Sequence, residues 1–321
     1  MKRLFVFEYL TGGGLIDGDA AATTALLPLG RVMRDAIVAD LLRSGTFSVS
    51  AAVCGQAPTL PGKALAVQAR VGQTPLDLVT HQAALHDLSW VVAPETGGLL
   101  AMFQRAVGTP RWLGCEAGAI AVASSKRATL LRLAASGVVT PLDFEQGPDV
   151  NRWVVKPDDG AGAVDTRVHT RRDAALQDLL LRSRAGAAMV VEPWVDGEAL
   201  SISLLCGRHG SELLSVNRQQ IDIDALGKLR YDGVDIDMPA WRSADRRARL
   251  QRLADEVTAA IPGLRGFVGV DLVWHAQCGP VVIEVNPRVT CAYAGLSAAL
   301  GRNLATDVVA AHEMAPQLAH G

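Results

Sequence analysis

The sequence predicts an α/β protein of two or three lobes, with helices packed on a parallel β-sheet in the first lobe. Its 321 residues are too many for one ordinary core. Its hydrophobic content of 49% provides enough apolar surface to bury a large core. In the first third, short apolar runs alternate with segments of helical periodicity, as strands and helices do in a parallel sheet.

Charge and composition exclude several classes of protein. The net charge of −2, from 31 basic and 33 acidic residues, argues against a dedicated nucleic-acid binder. No apolar run reaches the roughly 18 residues of a membrane span, and Glu8 interrupts the apolar N-terminal segment, which we interpret as a strand and not a signal peptide. Five cysteines without a C-x-x-C pair disfavour disulfides and zinc. We expect a cytoplasmic protein with small-molecule partners, no nucleic acid and no membrane, and a homodimer is one option for its assembly.

The first lobe is predicted over 1–113. It begins with the strand "LFVFE", which leads into a glycine cluster. Helical spacing predicts a helix over 31–45 that ends at Gly45. Further strands are predicted over 47–54 and 88–95.

The second lobe is predicted over 114–190 as a small α+β unit. A helix over 124–137 has Ser124 or Ser125 as its N-cap. The strand "RWVVK" then leads into a glycine-rich segment, and a polar helix follows near 171–184.

The third lobe is predicted over 191–321 and is rich in strands. Successive strand candidates extend from about 188 to 286, with one helix over 243–260 among them. The segment from Ser297 onward has a helical pattern.

The segment "GFVGVDLVWHAQCGPVVIEVNPR" carries the strongest chemical signal. A hairpin with its tip at Gln277–Cys278 places Asp271 directly opposite Glu284, and Asn286 projects from the same face. Two carboxylates and an amide oxygen are hard ligands of the kind that Mg²⁺ prefers. Both carboxylates lie in strongly apolar strands, where an unpaired charge is costly, so we expect a partner cation. The alternative is that both carboxylates are simply solvated.

Three basic residues are candidates for phosphate binding. Arg288 follows Asn286 and Pro287, and its guanidinium suits phosphate oxygens. Lys156 ends a strand beside the glycine-rich segment, so it could ligate a phosphate while that loop closes. Lys126 lies at the start of a helix, where the dipole favours anions. Each lysine alone is more often an ordinary surface residue.

The segment "VVEPWVDGE" is a candidate hinge for an adenine base. A strand ends at Glu192, and Pro193 removes one backbone donor. The remaining backbone groups could read an adenine edge between two lobes. Trp194 is either part of this hinge or core packing, and Glu198 is a candidate for the ribose hydroxyls.

Taken in order, the segments "SSK", "VVKPDDGAG", "VVEPWVDGE", "GVDLV" and "VIEVNPR" resemble those of the ATP-grasp superfamily. The resemblance covers the chain from about residue 113 to the end and, more weakly, the first lobe. It implies an ATP-grasp fold, with a Rossmann-like pre-ATP-grasp lobe over 1–113, a lid subdomain over 114–190 and a metal-binding subdomain over 191–321. It also implies ATP and two Mg²⁺ ions as cofactors, with Mn²⁺ as a substitute.

The same resemblance assigns roles to the residues described above. It implies that Lys126 and Lys156 bind the ATP phosphates, and that Glu192, Pro193 and Trp194 form the adenine hinge. It further implies that Asp271, Glu284 and Asn286 bind Mg²⁺. Arg288 would contact the γ-phosphate or the acyl phosphate.

The sequence departs from the superfamily pattern at two positions. Ala199 stands where the family often has a ribose-binding acid, which leaves Glu198 as the nearest candidate. Gly269 stands where many members have an arginine, so Arg218 or Arg288 is expected to supply that cation.

Within the superfamily, the segments over 7–14, 213–221 and 266–296 resemble the tyramine–glutamate ligases of methanofuran biosynthesis. This resemblance implies a ligase that joins glutamate to a tyramine- or tyrosine-like amine through an acyl phosphate, releasing ADP and phosphate. The alternatives are an ATP-grasp ligase that adds an amino acid to a peptide or other small molecule, and a non-catalytic ATP-binding regulator. The complete metal set argues against the regulator. A dinucleotide oxidoreductase is rejected because Asp17, and not glycine or alanine, ends the first glycine motif.

The glycine cluster Gly12, Gly13 and Gly14 is left without a nucleotide role, because the other lobes already provide an ATP site. It follows the first strand of a parallel sheet, and the carboxyl edge of such a sheet faces ligands. Glu8 and Glu95 end two strands at this edge, so we hypothesise that the edge holds a cationic amine substrate. The alternative is that the glycines only form a turn, with both glutamates solvated or capping helices.

Overall fold

The computed structural model describes residues 1–15, 20–147, 150–160, 162–208, 210–236, 241 and 243–313. These residues form three β-sheets, one in each of the three lobes. Asp17, which ended the motif considered above, lies outside the described residues.

The first sheet is parallel and has four strands in the order β3-β2-β1-β4. Its strands are β1 (Lys2–Glu8), β2 (Phe47–Val53), β3 (Leu65–Gln68) and β4 (Leu88–Val92). Its helices are α1 (Ala20–Arg43), α2 (Pro75–Leu85) and α3 (Leu99–Val107). The alternation of strands and helices predicted for this lobe is therefore present, although β3, α2 and α3 were not predicted individually.

Helix α1 starts well before the predicted 31–45. Pro28 and Gly30 lie inside it, and both weaken a helix when only the local sequence is considered. The reason for Gly30 is tertiary, because a Cβ there would lie 2.5 Å from Oε2 of Glu8. Strand β4 ends at Val92, which places Glu95 in the turn beyond the strand.

The second sheet is small and antiparallel, in the order β6-β5-β7. Its strands are β5 (Trp153–Pro157), β6 (Arg167–His169) and β7 (Met189–Pro193), and helix α6 (Arg172–Arg184) covers it. Trp153, Val155 and Ala175 form its own small core. This unit contains the polar helix predicted near 171–184.

The third sheet is antiparallel and has five strands in the order β10-β9-β8-β11-β12. Its strands are β8 (Glu198–Cys206), β9 (Ser211–Ile223), β10 (Leu229–Asp235), β11 (Gly266–His275) and β12 (Gly279–Asn286). The remaining helices are α4 (Ala117–Ala123), α5 (Lys126–Ala135), α7 (Ala244–Ala260), α8 (Leu296–Leu300) and α9 (Leu304–Glu313). Helix α7 packs on β8 and β9, as its apolar face predicts.

Helices α4 and α5 pack on β12 of the third sheet, although their sequence was assigned to the small lobe. Ser125 is the N-cap of α5, as predicted, and its hydroxyl accepts a hydrogen bond from the Ala128 amide. This packing places the start of α5 beside the ends of β5 and β12.

The first and third lobes are joined by buried polar contacts. The Asp40 carboxylate on α1 accepts hydrogen bonds from the Tyr293 hydroxyl at 2.8 Å and from the Ser297 hydroxyl. Helix α9 also packs on α1. Across the described ranges, no helix combines the length and the apolar character needed to cross a bilayer.

Candidate functional site

A cavity of about 490 Å³ lies between the small sheet and the third sheet; we call it the nucleotide cavity. The residues predicted for phosphates, hinge and metal meet in its lining, which includes Lys126, Lys156, Glu192, Pro193, Trp194, Asp271, Glu284, Asn286 and Arg288. Apolar side chains that fit a flat aromatic ligand line it as well, among them Val154, Ile221, Leu272 and Ile283.

The β11–β12 hairpin places Asp271 opposite Glu284, as predicted. The predicted tip was wrong by one residue, because His275 pairs with Gly279 across a loop of three residues. A register shift between Asp271 and Leu272 then restores the opposition. This bulge is a local irregularity that simple alternation in the sequence does not show.

The two carboxylates are held by neighbouring amides and a lysine. Asp271 accepts hydrogen bonds from Asn286 Nδ2 at 3.2 Å and from Gln219 Nε2 at 2.9 Å. Lys126 Nζ lies 3.3 Å from Glu284 Oε1. Burial among protein atoms, and next the charge of Glu284, raise the pKa of Asp271 to about 7. A cation between these carboxylates would relieve that cost.

These side chains fit a hard divalent cation. Two carboxylates and an amide offer the oxygen ligands that Mg²⁺ takes, with the remaining positions left to water and phosphate. Asn286 now donates its amide N–H to Asp271, so its side chain would have to turn to offer its oxygen. Counting only His, Cys, Asp and Glu, the described part of the chain holds no cluster of three. The candidate metal set therefore depends on Asn286.

The two lysines are fixed in the wall of the nucleotide cavity. Lys126 Nζ donates to the carbonyl of Gly160, and its backbone N–H donates to the carbonyl of Asp158 at 2.9 Å. Lys156 forms an ion pair with Glu192, and both side chains are buried. The first set of contacts ties the start of α5 to the glycine-rich segment, and the second places a charged pair on β5 and β7.

The hinge candidates lie where β7 ends. Trp194 donates its backbone N–H to the carbonyl of Arg152 at 3.0 Å, and its indole N–H to Asp196 Oδ1 at 3.0 Å. The guanidinium carbon of Arg152 lies 4.9 Å from the centre of the Trp194 ring. Trp194 is partly buried and lines the cavity, so it is not a fully buried core residue.

Glu198 and Arg218 are not brought to the cavity. They form an ion pair with each other, at 2.8 Å and 2.5 Å, on the exposed side of the sheet. The next residue on β9, Gln219, faces the cavity because successive strand residues point to opposite faces. Gln219 was not predicted, because alternation along β9 places it on the opposite face from Arg218 but does not show which face lies toward the cavity. Of the two arginines expected to replace the one absent at position 269, Arg288 therefore lines the cavity and Arg218 does not.

The absence of an arginine at position 269 has a steric cause in the structure. A Cβ on Gly269 would lie 2.7 Å from Thr290 Cγ2. Any larger side chain there would require Thr290 to move.

The opening glycine cluster folds into a tight turn around Glu8. The Glu8 carboxylate accepts hydrogen bonds from the backbone N–H groups of Leu10, at 3.2 Å, and Thr11, at 2.9 Å. Gly12 and Gly14 pass directly over the rings of Phe7 and Tyr9, where a Cβ would lie 2.3 Å and 2.5 Å from ring carbons. The turn amides are thus directed at a carboxylate of the protein, and the turn itself does not present a phosphate loop.

A second cavity, of about 550 Å³, opens at the carboxyl edge of the first sheet; we call it the acceptor cavity. Glu8 lines it, and burial is the main cause that raises the pKa of this carboxyl. Among the described residues, Gly12, Gly13, Gly14 and Glu95 do not line it. Those four positions were predicted to touch the substrate, and the structure corrects this because the turn packs inward and Glu95 pairs with Arg288.

The two cavities meet at one place. Arg288 and Cys291 line both of them, together with Gly160 and Gly162 of the glycine-rich segment. A ligand at the end of the nucleotide cavity would therefore lie next to a ligand in the acceptor cavity.

Two family models match the chain. The model of the ATP-grasp domain matches residues 123–292, which is more than half of the chain. The chain belongs to the ATP-grasp family. The model of a pre-ATP-grasp domain matches residues 50–120, within the first lobe. The ATP-grasp fold predicted from the order of short motifs is thus confirmed.

Two named relatives have sequence identities below 30% to this chain. A tyramine–L-glutamate ligase of Methanocaldococcus jannaschii is 28% identical over 212 residues, which are 65% of this chain and 58% of that protein. The tyramine–L-glutamate ligase of Methanocaldococcus fervens is 27% identical over 65% of this chain and 61% of its own length. The match thus spans about three fifths of these relatives.

One solved structure extends the likeness to nearly the whole chain. An ATP-grasp superfamily protein from Archaeoglobus fulgidus superposes with a TM-score of 0.72 and 22% identity, over 97% of this chain and 88% of its own. At this identity the likeness concerns the fold alone. It supports the arrangement of all three lobes.

Proposed function

We propose that the protein is an ATP-dependent ligase that joins the carboxylate of glutamate to a tyramine- or tyrosine-like amine, releasing ADP and phosphate. The observation that carries this proposal is the junction of the two cavities at Arg288. On one side lie the candidate residues for nucleotide and metal, and on the other lies the carboxylate of Glu8. A carboxylate phosphorylated at the junction would be next to an amine held in the acceptor cavity.

The side chains of the nucleotide cavity would work by position and charge. Lys126 and Lys156 would hold the phosphates, with the adenine against the hinge at Glu192, Pro193 and Trp194. When bound at Asp271, Glu284 and Asn286, two Mg²⁺ ions, or Mn²⁺ in their place, would supply further neutralisation of phosphate charge. Arg288 would donate hydrogen bonds to the phosphoryl group that is transferred. Such a reaction needs no nucleophilic side chain.

The charges of the acceptor cavity support a cationic amine as the second substrate. Three acidic residues line it, namely Glu8, Asp159 and Asp165, and the basic residue in its described lining is Arg288. Arg288 is already paired with Glu95. A primary ammonium would pair with Glu8, whereas the carboxylate of an amino acid would find no further basic group in that lining.

Apolar side chains beside Glu8 support an amine with a hydrophobic body. Leu26, Leu29 and Met33 of α1 line the same cavity. An aromatic ring would remove this surface from water. Together, the apolar wall and the acidic charge favour tyramine over tyrosine.

A ligase that adds an amino acid to a peptide or other small molecule is the second candidate. The observation in its favour is the volume of the acceptor cavity, about 550 Å³, which suits a ligand larger than one small amine.

ADP release across a panel of acceptors separates these functions. Purified protein would be incubated with ATP, Mg²⁺ and glutamate, together with tyramine, tyrosine or short peptides. The masses of the products would be measured by mass spectrometry. We expect ADP release that needs both glutamate and amine, fastest with tyramine, and a product whose mass is the sum of the two minus water. Turnover with peptides alone would favour the second candidate, and ATP binding without turnover would favour a regulator.

A further inference from the structure

A buried ion pair joins the first lobe to the junction of the cavities. Arg288 Nη2 lies 2.9 Å from Glu95 Oε2, and the two side chains are 13% and 4% exposed. Glu95 belongs to the turn after β4, whereas Arg288 follows β12 in the third lobe. The pair thus crosses between lobes at the point where the two candidate substrates would meet.

Stability alone is a weak reason for such a pair. Taking both charges out of water costs several kcal/mol, which their attraction often does no more than offset. The pair does, however, restrict the guanidinium to one orientation. Without a partner, the long arginine side chain would sample several rotamers beside the cavity.

The base of Glu95 is itself rigid. Gly97 and Gly98 both have positive φ, 61° and 71°, which bends the chain directly from Glu95 into α3. The Gly98 amide donates to the Glu95 carbonyl at 3.0 Å, and the Leu100 amide donates to the Pro94 carbonyl at 3.2 Å. The carboxylate therefore projects from a fixed turn.

Hydrogen-bonding capacity is left over on both partners. Among the described residues, the buried Nε of Arg288 and the buried Oε1 of Glu95 have no hydrogen-bond partner. Within the described ranges, Arg288 Nη1 donates to the Val289 carbonyl alone, at 3.3 Å. The guanidinium is held along one edge by Glu95 and keeps donors for an anion.

We infer that Glu95 is a positioning residue, which holds the guanidinium of Arg288 toward the terminal phosphate of a bound nucleoside triphosphate. Glu95 would thus act through Arg288 and would not contact the amine. The inference rests on the proposed function only in naming that phosphate as the group transferred. ATP binding by an ATP-grasp protein is sufficient to test it.

The test compares the affinities for the non-hydrolysable β,γ-imido analogue of ATP and for ADP, measured by calorimetry with Mg²⁺. We expect Arg288→Gln and Glu95→Gln each to lower the preference for the triphosphate by about tenfold, while ADP affinity stays within about twofold. In the double variant, the preference for the triphosphate should fall by no more than in either single variant, because each single change already removes the same ion pair. The double variant also leaves no unpaired buried charge, so it can still be measured if a single variant fails to fold.

The matched control is Glu212→Gln. Glu212 pairs with Arg302 at the same distance of 2.9 Å, but this pair is exposed, and neither residue lines either cavity. This variant should keep the wild-type preference. The inference is overturned if Glu95→Gln keeps that preference while Arg288→Gln loses it, or if Arg288→Gln itself has no effect. A raised Michaelis constant for the amine in Glu95→Gln, with the nucleotide preference unchanged, would instead indicate that Glu95 helps to bind the amine substrate. Failure of the ligase reaction alone would leave these binding ratios intact.

Discussion

Lys156 and Glu192 neutralise each other inside the wall of the nucleotide cavity, where both are about 5% exposed or less. Removing one member of such a pair leaves the other charged and buried, which is more costly than removing both. The same lysine is the proposed phosphate ligand. Its loss should therefore affect stability and nucleotide binding together.

We predict that Lys156→Ala lowers the free energy of unfolding by roughly 3–5 kcal/mol and raises the Michaelis constant for ATP. Urea denaturation and steady-state kinetics would measure the two effects. The double variant Lys156→Met, Glu192→Gln should recover part of the stability but not the ATP affinity. Lys63→Ala, at an exposed position, is the matched control and should change neither. Equal stability of Lys156→Ala and the wild type would contradict the buried pair.

Glu8 is the residue whose charge state controls the proposed amine site. Its pKa is raised above the ordinary 4.5, chiefly by burial, so the carboxyl is neutral at acid pH and ionises only as the pH rises. Since the ammonium pairs with the ionised form, tyramine affinity should rise with pH through that raised pKa. Because one proton is involved, tyramine affinity can change by at most about tenfold per pH unit.

Calorimetric titration of tyramine at several pH values would measure this dependence. In Glu8→Gln, binding should be weaker and nearly independent of pH, while the exposed Glu145→Gln should behave as the wild type. Tyramine affinity that is unchanged in Glu8→Gln would remove Glu8 from the amine site.

Among the elements, helix α1 shows how the site constrains a helix. Gly30 lowers the helix propensity of α1, yet a side chain there would enter the space of the Glu8 carboxylate. That carboxylate is held by the amides of Leu10 and Thr11, so it can move away only by breaking those hydrogen bonds.

We predict that Gly30→Ala lowers the free energy of unfolding by about 1 kcal/mol, because overpacking outweighs the gain in helix propensity. It should also weaken tyramine binding. Gly118→Ala in α4 is the matched control, since nothing lies within 4 Å of a Cβ there. That variant should raise the unfolding free energy by about 0.5–1 kcal/mol. Thermal unfolding of both variants would show the opposite signs, and a stabilised Gly30→Ala would contradict the close contact.

The β11–β12 hairpin shows what local sequence predicts and where it fails. Counting residues back from the predicted tip gave the pair Asp271 and Glu284, but this count succeeded because the register shift between Asp271 and Leu272 cancels the one-residue error in the tip. The loop and the compensating bulge were not predictable, since both depend on local backbone geometry. Arg218 was misplaced for a related reason: choosing between it and Gln219 requires the register of β9 against β8.

In the molecule as a whole, the order of motifs predicted the ATP-grasp fold, because each motif requires one local element and the elements follow in a fixed sequence. The acceptor cavity was predicted only as an edge of the first sheet. Its walls come from α1, the turn after β4 and the glycine-rich segment, which are far apart in the chain. The partner of Glu95 was unpredictable for the same reason, since it is 193 residues away.

The most direct test of the proposed catalytic centre is amide-coupled ADP release in Glu284→Gln, compared with the wild type at saturating Mg²⁺. Glu256→Gln, which changes an exposed glutamate on α7, is the matched control. We predict one ADP per amide in the wild type and in the control. In Glu284→Gln we predict a loss of at least about a hundredfold with the fold intact by circular dichroism, because the carboxylate opposite Asp271 is required to hold the metal and phosphates. Wild-type turnover by Glu284→Gln would contradict the metal assignment and, with it, the proposed catalytic centre.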